Sequence, residues 1–288
     1  MLPGRLGLET ARIPHADRHG LLWLSHGNLS VEDGTLRFIA ADSDFFQAGD
    51  YAVPFQMVSL ILLGPGTTVS HDALRLMARH GTGLVAVGED GVRMYSAMPW
   101  GPNESALARK QVAVWSDTEK RLEIARRMYA WRFGEILPSA EISVLRGIEG
   151  ARMKETYSLL AKKYNLEWHG RKYDRGNPEL ADLPNQAINH AATAVESAAY
   201  IAVASTGTIP QIGFIHEDSS NAFPLDIADL YRHEITLPVA FQAVNEVIAS
   251  ELKLSIERCT RKVAGRMFRE KKLIHSMIER IKKLFEAE

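Results

Sequence analysis

Between residues 20 and 95 the apolar positions fall in short runs, alternating or continuous, each closed by turn residues. LLWLSHG, NLSVEDGTLRFIA, MVSLILLGPG and LVAVGEDGVRMYSA read as strands, and Asp33-Gly34 and Asp90-Gly91 read as hairpin turns, because such pairs accept the positive φ of tight corners. SHDALRLMARHG interrupts them with a helical pattern, Ser70 as its N-cap and Gly81 as its terminator. AMPWGPNES, residues 97–105, sets two prolines and a glycine between unlike patterns and reads as a linker. Beyond it the apolar period lengthens to about 3.6, which predicts helices at 105–134, 140–164, 184–205, 225–232, 236–250 and 255–285. The expected class is α+β: a β-rich N-terminal domain over residues 1–96, the linker at 97–105, and a predominantly α-helical C-terminal domain over 106–288.

Composition narrows the setting. At 288 residues, 46% hydrophobic and 24% charged, the chain has enough apolar material for two cores. A single cysteine, Cys259, excludes an internal disulfide and suits a reducing compartment. The first residues lack the apolar run of a signal peptide, and no run approaches the roughly 20 apolar residues of a membrane span, so a cytoplasmic location without a membrane is expected. Net charge is −1, yet residues 253 to 283 hold eleven Lys and Arg against three Glu. Residues 104 to 175 hold fifteen against ten. Such local excess either solvates helix faces or meets a polyanion.

Candidate chemistry centres on GFIHEDSSNAFPLDIADLYR, residues 213 to 232. His216 closes an apolar run, and Asp226 and Asp229 stand three apart, a spacing that puts both carboxylates on one helical face. A cation held there calls for a further acidic ligand on another helix, and Glu149 in VLRGIEGARMKETY is the best candidate. Gly147 and Gly150 flank it in a helical segment, where each glycine costs up to about 1 kcal/mol relative to alanine, so packing or substrate access has to justify them. Arg146 and Arg152, three residues to either side, could orient phosphates. Carboxylate oxygens favour Mg²⁺ or Mn²⁺, and one imidazole tilts the choice toward Mn²⁺. Singly, each residue also has a structural role open to it: His216 as a hydrogen-bonded strand end, Asp226 as a helix N-cap, Glu149 as a surface ion pair. Walker A, GxGxxG, CxxC and GxSxG patterns are all missing, and Cys259 has no evident base.

Taken together, LRGIEGARMKETYSLLAKKY, GFIH and DIADLYR resemble the CRISPR-associated spacer-acquisition integrase family, in the branch serving subtype I-E systems. LLGPGTTVSHDALRLMARHGTGLVAVGEDGVRMY and RMYAWRFGE are similar to the same branch, so the resemblance spans nearly the whole chain. It implies Glu149, His216 and Asp229 as ligands of one Mg²⁺ or Mn²⁺, with Asp226 beside them in the catalytic site, either coordinating or supporting. It also implies DNA contacts at Tyr173, Arg75 and Arg93. The implied reaction is joining the 3′-hydroxyl ends of short foreign double-stranded DNA with single-stranded 3′ ends to phosphodiesters of CRISPR repeat DNA, by transesterification. The implied assembly is a homodimer, two copies of which a small ferredoxin-like partner bridges into a heterohexamer. His26 stands where relatives carry a tyrosine that stacks on the duplex end, and Thr68 where an arginine is common. The same Glu149, His216 and Asp229 would also serve a metal-dependent, structure-specific repair nuclease that uses water as nucleophile. A DNA-binding scaffold with a structural acidic cluster is the non-enzymatic alternative.

Overall fold

A computed structural model describes residues 20–43, 46–97, 105–135, 141–172, 181–217, 219–251 and 253–286. They divide into two compact units. The first holds residues 20–88, 95–97, 105 and 204–207, and the second holds 89–94, 106–203 and 208–286.

The first unit contains β1 (Gly20–Leu24), β2 (Gly27–Glu32), β3 (Thr35–Ala40), β4 (Gly49–Ala52), β5 (Val58–Leu63), β6 (Thr67–Val69), α1 (His71–His80), β7 (Gly83–Val87) and β8 (Met94–Ala97). One sheet runs β1-β5-β7-β8, with β5 parallel to both β1 and β7; the other runs β4-β3-β2-β6, antiparallel except where β6 joins β2. Every residue of β5, VSLILL, is buried, as a strand apolar but for Ser59 and set between two parallel neighbours should be. Leu29, Phe38, Ile61, Met77 and Leu84 share one core drawn from both sheets and α1. The hairpin at Asp33 and Gly34 has φ of 49° and 75°, the corner its sequence signals. Ser70 accepts from Ala73 N and Gly81 closes α1 at φ 68°, so both ends of that helix follow their sequence cues. Asp90 and Gly91 do have positive φ, but they sit in a 3₁₀ turn within a longer connection from Gly88 to Arg93. Strands β4 and β6 escaped the periodicity because they are too short to show one.

The second unit is helical: α2 (Ala106–Trp115), α3 (Thr118–Phe133), α4 (Ile142–Lys163), α5 (Leu183–Thr206, its residues up to 203), α6 (Ala222–Asp229), α7 (Leu237–Ala249), α8 (Ile256–Lys271) and α9 (Leu273–Leu284). The single helix expected over 105–134 is two, because Asp117 accepts from the amides of Glu119 and Lys120 and caps a fresh start. The one expected over 255–285 breaks at Lys272, which adopts φ 49°. Helix α6 begins at Ala222 and not near 225, which puts Asp226 inside the helix instead of at its N-cap. A π-helical turn, Arg232–Thr236, carries the chain into α7.

Glu89–Met94 belongs to this unit because Asp90 pairs with Arg269 and Arg93 with Glu257 at 2.6 Å. The basic excess of residues 253–283 is therefore partly neutralised in place. Arg266 meets Glu246 at 3.1 Å, and Arg280 lies over the rings of Trp131 and Tyr231. Helix α8 buries Val263, Ala264 and Phe268 while Arg258, Arg261 and Lys262 face solvent, the division of an amphipathic surface helix.

Candidate active site

Glu149 projects from α4, Tyr129 and Arg132 from α3, Asp229 from the last turn of α6, and His216 from the irregular segment before α6. Such a segment has no ladder to satisfy its backbone, so side chains must do so. Asp226 does most of this. Its fully buried carboxylate accepts Phe214 N at 2.5 Å and Ile215 N at 3.1 Å on one oxygen. On the other it accepts His216 N at 2.9 Å and the His216 ring at Nδ1, 2.7 Å away. An ionised carboxylate offers about four acceptor positions, and all four are taken, leaving none to face a cation.

Because that carboxylate only accepts, Nδ1 carries the proton and Nε2 is the nitrogen left to act, 3.9 Å from Asp229 Oδ2. The Asp226 bond, working against burial, raises the ring pKa. A proton on Nε2 competes with any cation there.

Between the carboxylates lies Arg132, only 4% exposed, with Nη1 2.6 Å from Glu149 Oε1 and 3.6 Å from Asp229 Oδ2. Its Nε and Nη2 are buried with no hydrogen-bond partner among the described residues. Tyr129 donates to Glu149 Oε2 at 3.1 Å, and burial together with the Glu149 charge pushes its phenol up, so it stays a proton donor. Arg232 reaches the other Asp229 oxygen at 2.9 Å.

Among the described residues, no three or more His, Cys, Asp and Glu side chains close around one point as metal ligands. The guanidinium occupies the space where Glu149 and Asp229 would converge. Their donor chemistry nonetheless fits a divalent cation: two carboxylates, one imidazole nitrogen fixed in its tautomer, and an arginine nitrogen already in place as the stand-in cation.

The residues nominated for phosphate contact are distributed differently. Arg146 donates to the Ile215 carbonyl, and Arg152 pairs with Glu135 while lying over the Phe133 ring at 5.0 Å. Glu149 pairs with Arg132 from α3, not with these neighbours on its own helix. Gly147 and Gly150 face open space, so packing does not explain them. Tyr173 lies outside the described residues; Arg171, just before it, is held by Asn185 and Asn189. In the first unit, Arg75 pairs with Asp72 at 3.0 Å, both exposed. His26 is exposed at φ 53°, close against Gly66.

Sequence reasoning missed Tyr129, Arg132, Arg232 and Glu196. Burial holds the Glu196 carboxyl above its usual range, against its bond from Asn221 and with the Asp229 charge adding to the shift. Its signal was available: one acid in the small apolar run AATAVESAAYIAVA. Gly213 is a further structural requirement, since a Cβ there would meet the His216 carbonyl and come within 2.8 Å of Ala222 Cβ. Gly213→Ala should destabilise the protein by about 1–3 kcal/mol through overpacking, read as a lowered denaturation midpoint at an unchanged m-value. A midpoint equal to the parent's would mean that the loop has slack.

The family model for CRISPR associated protein Cas1 matches residues 21–137 and 133–266. A CRISPR-associated endonuclease Cas1 of Geobacter sulfurreducens is 36% identical over 277 residues, 96% of this chain and 87% of the relative. The Escherichia coli K12 protein of the same description is 36% identical over 276 residues, with the same two coverages. A solved TtCas1-DNA complex superposes at a TM-score of 0.82 with 30% identity, covering 94% of this chain and 98% of that one. A casposase bound to integration product shares the fold, at a TM-score of 0.65 and 17% identity. A family match across most of the chain and identities above 30% over nearly its full length lead to one conclusion: the chain belongs to the Cas1 family of CRISPR-associated proteins.

Proposed function

We propose that this protein is a DNA integrase and endonuclease of CRISPR adaptation, joining 3′-hydroxyl ends of short DNA to phosphodiesters of repeat DNA at the Glu149–His216–Asp229 cluster. One observation carries the chemistry: two carboxylates from separate helices share a buried cation, beside an imidazole whose tautomer Asp226 fixes. Relatives named Cas1 endonucleases support the enzyme class, and the TtCas1-DNA complex supports DNA as the substrate.

Glu149, Asp229 and His216 Nε2 would hold one Mg²⁺ or Mn²⁺, which when bound neutralises charge building on the phosphate and acidifies the attacking hydroxyl. In the reaction a new bond forms from the fragment 3′-oxygen to the repeat phosphorus, and the bond from that phosphorus to its own 3′-oxygen breaks. The attacking hydroxyl loses a proton and the leaving oxygen gains one, so no nucleotide is consumed. Asp226 holds the His216 segment and its ring in register throughout. Tyr129 keeps Glu149 oriented by donating to the oxygen that Arg132 does not engage. The room beside Gly147 and Gly150 admits the DNA backbone. A homodimer, and a heterohexamer built with a small ferredoxin-like partner, supply the two active sites that two fragment ends require.

The test offers a labelled duplex with single-stranded 3′ ends, carrying either 3′-hydroxyl or 3′-deoxy termini, to the protein with its partner, supercoiled repeat DNA and Mn²⁺. The expected result is a branched product only with the 3′-hydroxyl, abolished by EDTA. Nicking of the repeat DNA without joining, equal for both termini, would instead assign hydrolysis by water, as in a repair nuclease.

A further inference from the structure

The backbone from Ile209 to His216 is irregular, and two side-chain centres hold it. Asp226, already described, grips its end. The other is a face of α2 formed by Gln111 and Trp115, which are four residues apart and so adjacent on the helix. Gln111 is completely buried and spends its whole amide on this segment. Its oxygen accepts Ile209 N at 2.7 Å, and its nitrogen donates to the carbonyls of Ile209 at 3.0 Å and Ile212 at 2.7 Å. Trp115 Nε1 donates to the Gly213 carbonyl at 2.9 Å, three residues before His216. Arg121 lies over one face of the partly exposed indole, 5.4 Å from its ring centroid, and pairs with Glu217 on the far side of His216.

We propose that Gln111 and Trp115 are positioning residues for His216: an amide and an indole on α2 that fix the carbonyls of the segment carrying the imidazole. Asp226 by itself fixes the amides of residues 214–216 and the ring nitrogen, but not the path by which the chain arrives. Gly213 leaves no space for drift toward Ala222, so the segment can move only away from α6, and the α2 bonds oppose that movement. Groups that orient a ligand from outside its own contacts typically alter affinity or rate by about 10- to 100-fold when removed. Gln111→Met removes the three amide bonds at similar volume. Trp115→Phe removes one N–H donor and keeps a ring at the same place.

The inference rests on His216 being part of the reacting site, so one readout is independent of the reaction. In metal-free, full-length protein, the ring nitrogen and Hε1 resonances of His216, assigned by their loss in His216→Ala, should shift and broaden in both variants. With Mn²⁺ and the partner present, kcat for joining should fall by about 10-fold or more while KM for the fragment stays within about two-fold. Should Gln111→Met fail to fold, Trp115→Phe alone decides. A folded Trp115→Phe with parent-like His216 resonances overturns the inference, whatever its activity. Shifted resonances with an unchanged kcat overturn it too, because the displaced ring would then not matter. A His216→Ala protein that joins DNA at the parent rate would instead overturn the assignment of His216 to the reaction.

Discussion

His216→Ala, Glu149→Ala and Asp229→Ala are each expected to reduce joining of a 3′-hydroxyl end to repeat DNA by at least about 10³-fold, with fragment affinity staying within about two-fold. The rate loss corresponds to about 4 kcal/mol at the transition state, where charge builds on a phosphate with no covalent help from the protein. Affinity is spared because Lys and Arg contacts along the backbone supply most of it. Any two of these changes together should cost little more than one, since the three groups act as a unit. Single-turnover joining rates and fluorescence anisotropy measure the two quantities separately. A variant keeping more than about a tenth of the parent rate removes that residue from the reacting set.

Arg132→Met produces the second large effect, on stability. The side chain is 4% exposed, and its loss leaves Glu149 and Asp229 facing each other without the cation between them. Breaking a buried ion pair costs about 3–5 kcal/mol; Tyr129 and Arg232 still serve the two carboxylates, so about 2–3 kcal/mol is expected. For a unit of this size that lowers the melting temperature by about 5–10 °C. Mn²⁺ should then stabilise the variant more than the parent, because in the parent the ion must displace a guanidinium and in the variant it meets a vacant pair of carboxylates. Thermal melts at matched Mn²⁺ concentrations check this. An identical Mn²⁺ increment in both proteins would show that Arg132 and the ion do not compete for one place.

Features declared by neighbours in sequence were the legible ones. Asp33-Gly34, Ser70 and Gly81 specify their corners through local backbone chemistry, and the helical period beyond residue 105 sets the class of the second unit. Asp117 capping α3 was also declared, in the run SDTE, but lay hidden inside a longer periodic stretch. Lys272 was not declared, because a lysine at positive φ has no propensity signal, although its N–H closes α8 onto the carbonyls of Phe268 and Arg269. In the site, residue types nominated Glu149, His216, Asp226 and Asp229, and the distant contacts then gave Asp226 a task that its spacing did not suggest. Its i, i+3 relation to Asp229 put both carboxylates on one helical face; burial and four hydrogen bonds turn Asp226 toward the loop. Arg132 and Gln111 were invisible for a common reason. An arginine on an amphipathic helix and a glutamine in another look solvent-facing until their partners, remote in sequence, are in place.

That remoteness also orders events while the chain is being made. Arg132 and Glu149 are 17 residues apart on adjoining helices, whereas Gln111 and Trp115 wait for carbonyls about 100 residues downstream. At synthesis rates of about 5–20 residues per second, α4 is complete roughly 3–10 s before the His216 segment. Throughout that interval Glu149 has neither Asp229 nor His216 beside it, and the Arg132 guanidinium is the charge partner it meets on the adjoining helix. The same arginine that blocks the carboxylates in the finished protein thus acts as an escort for a half-built site, keeping a lone acid quiet until the rest of the chain leaves the ribosome.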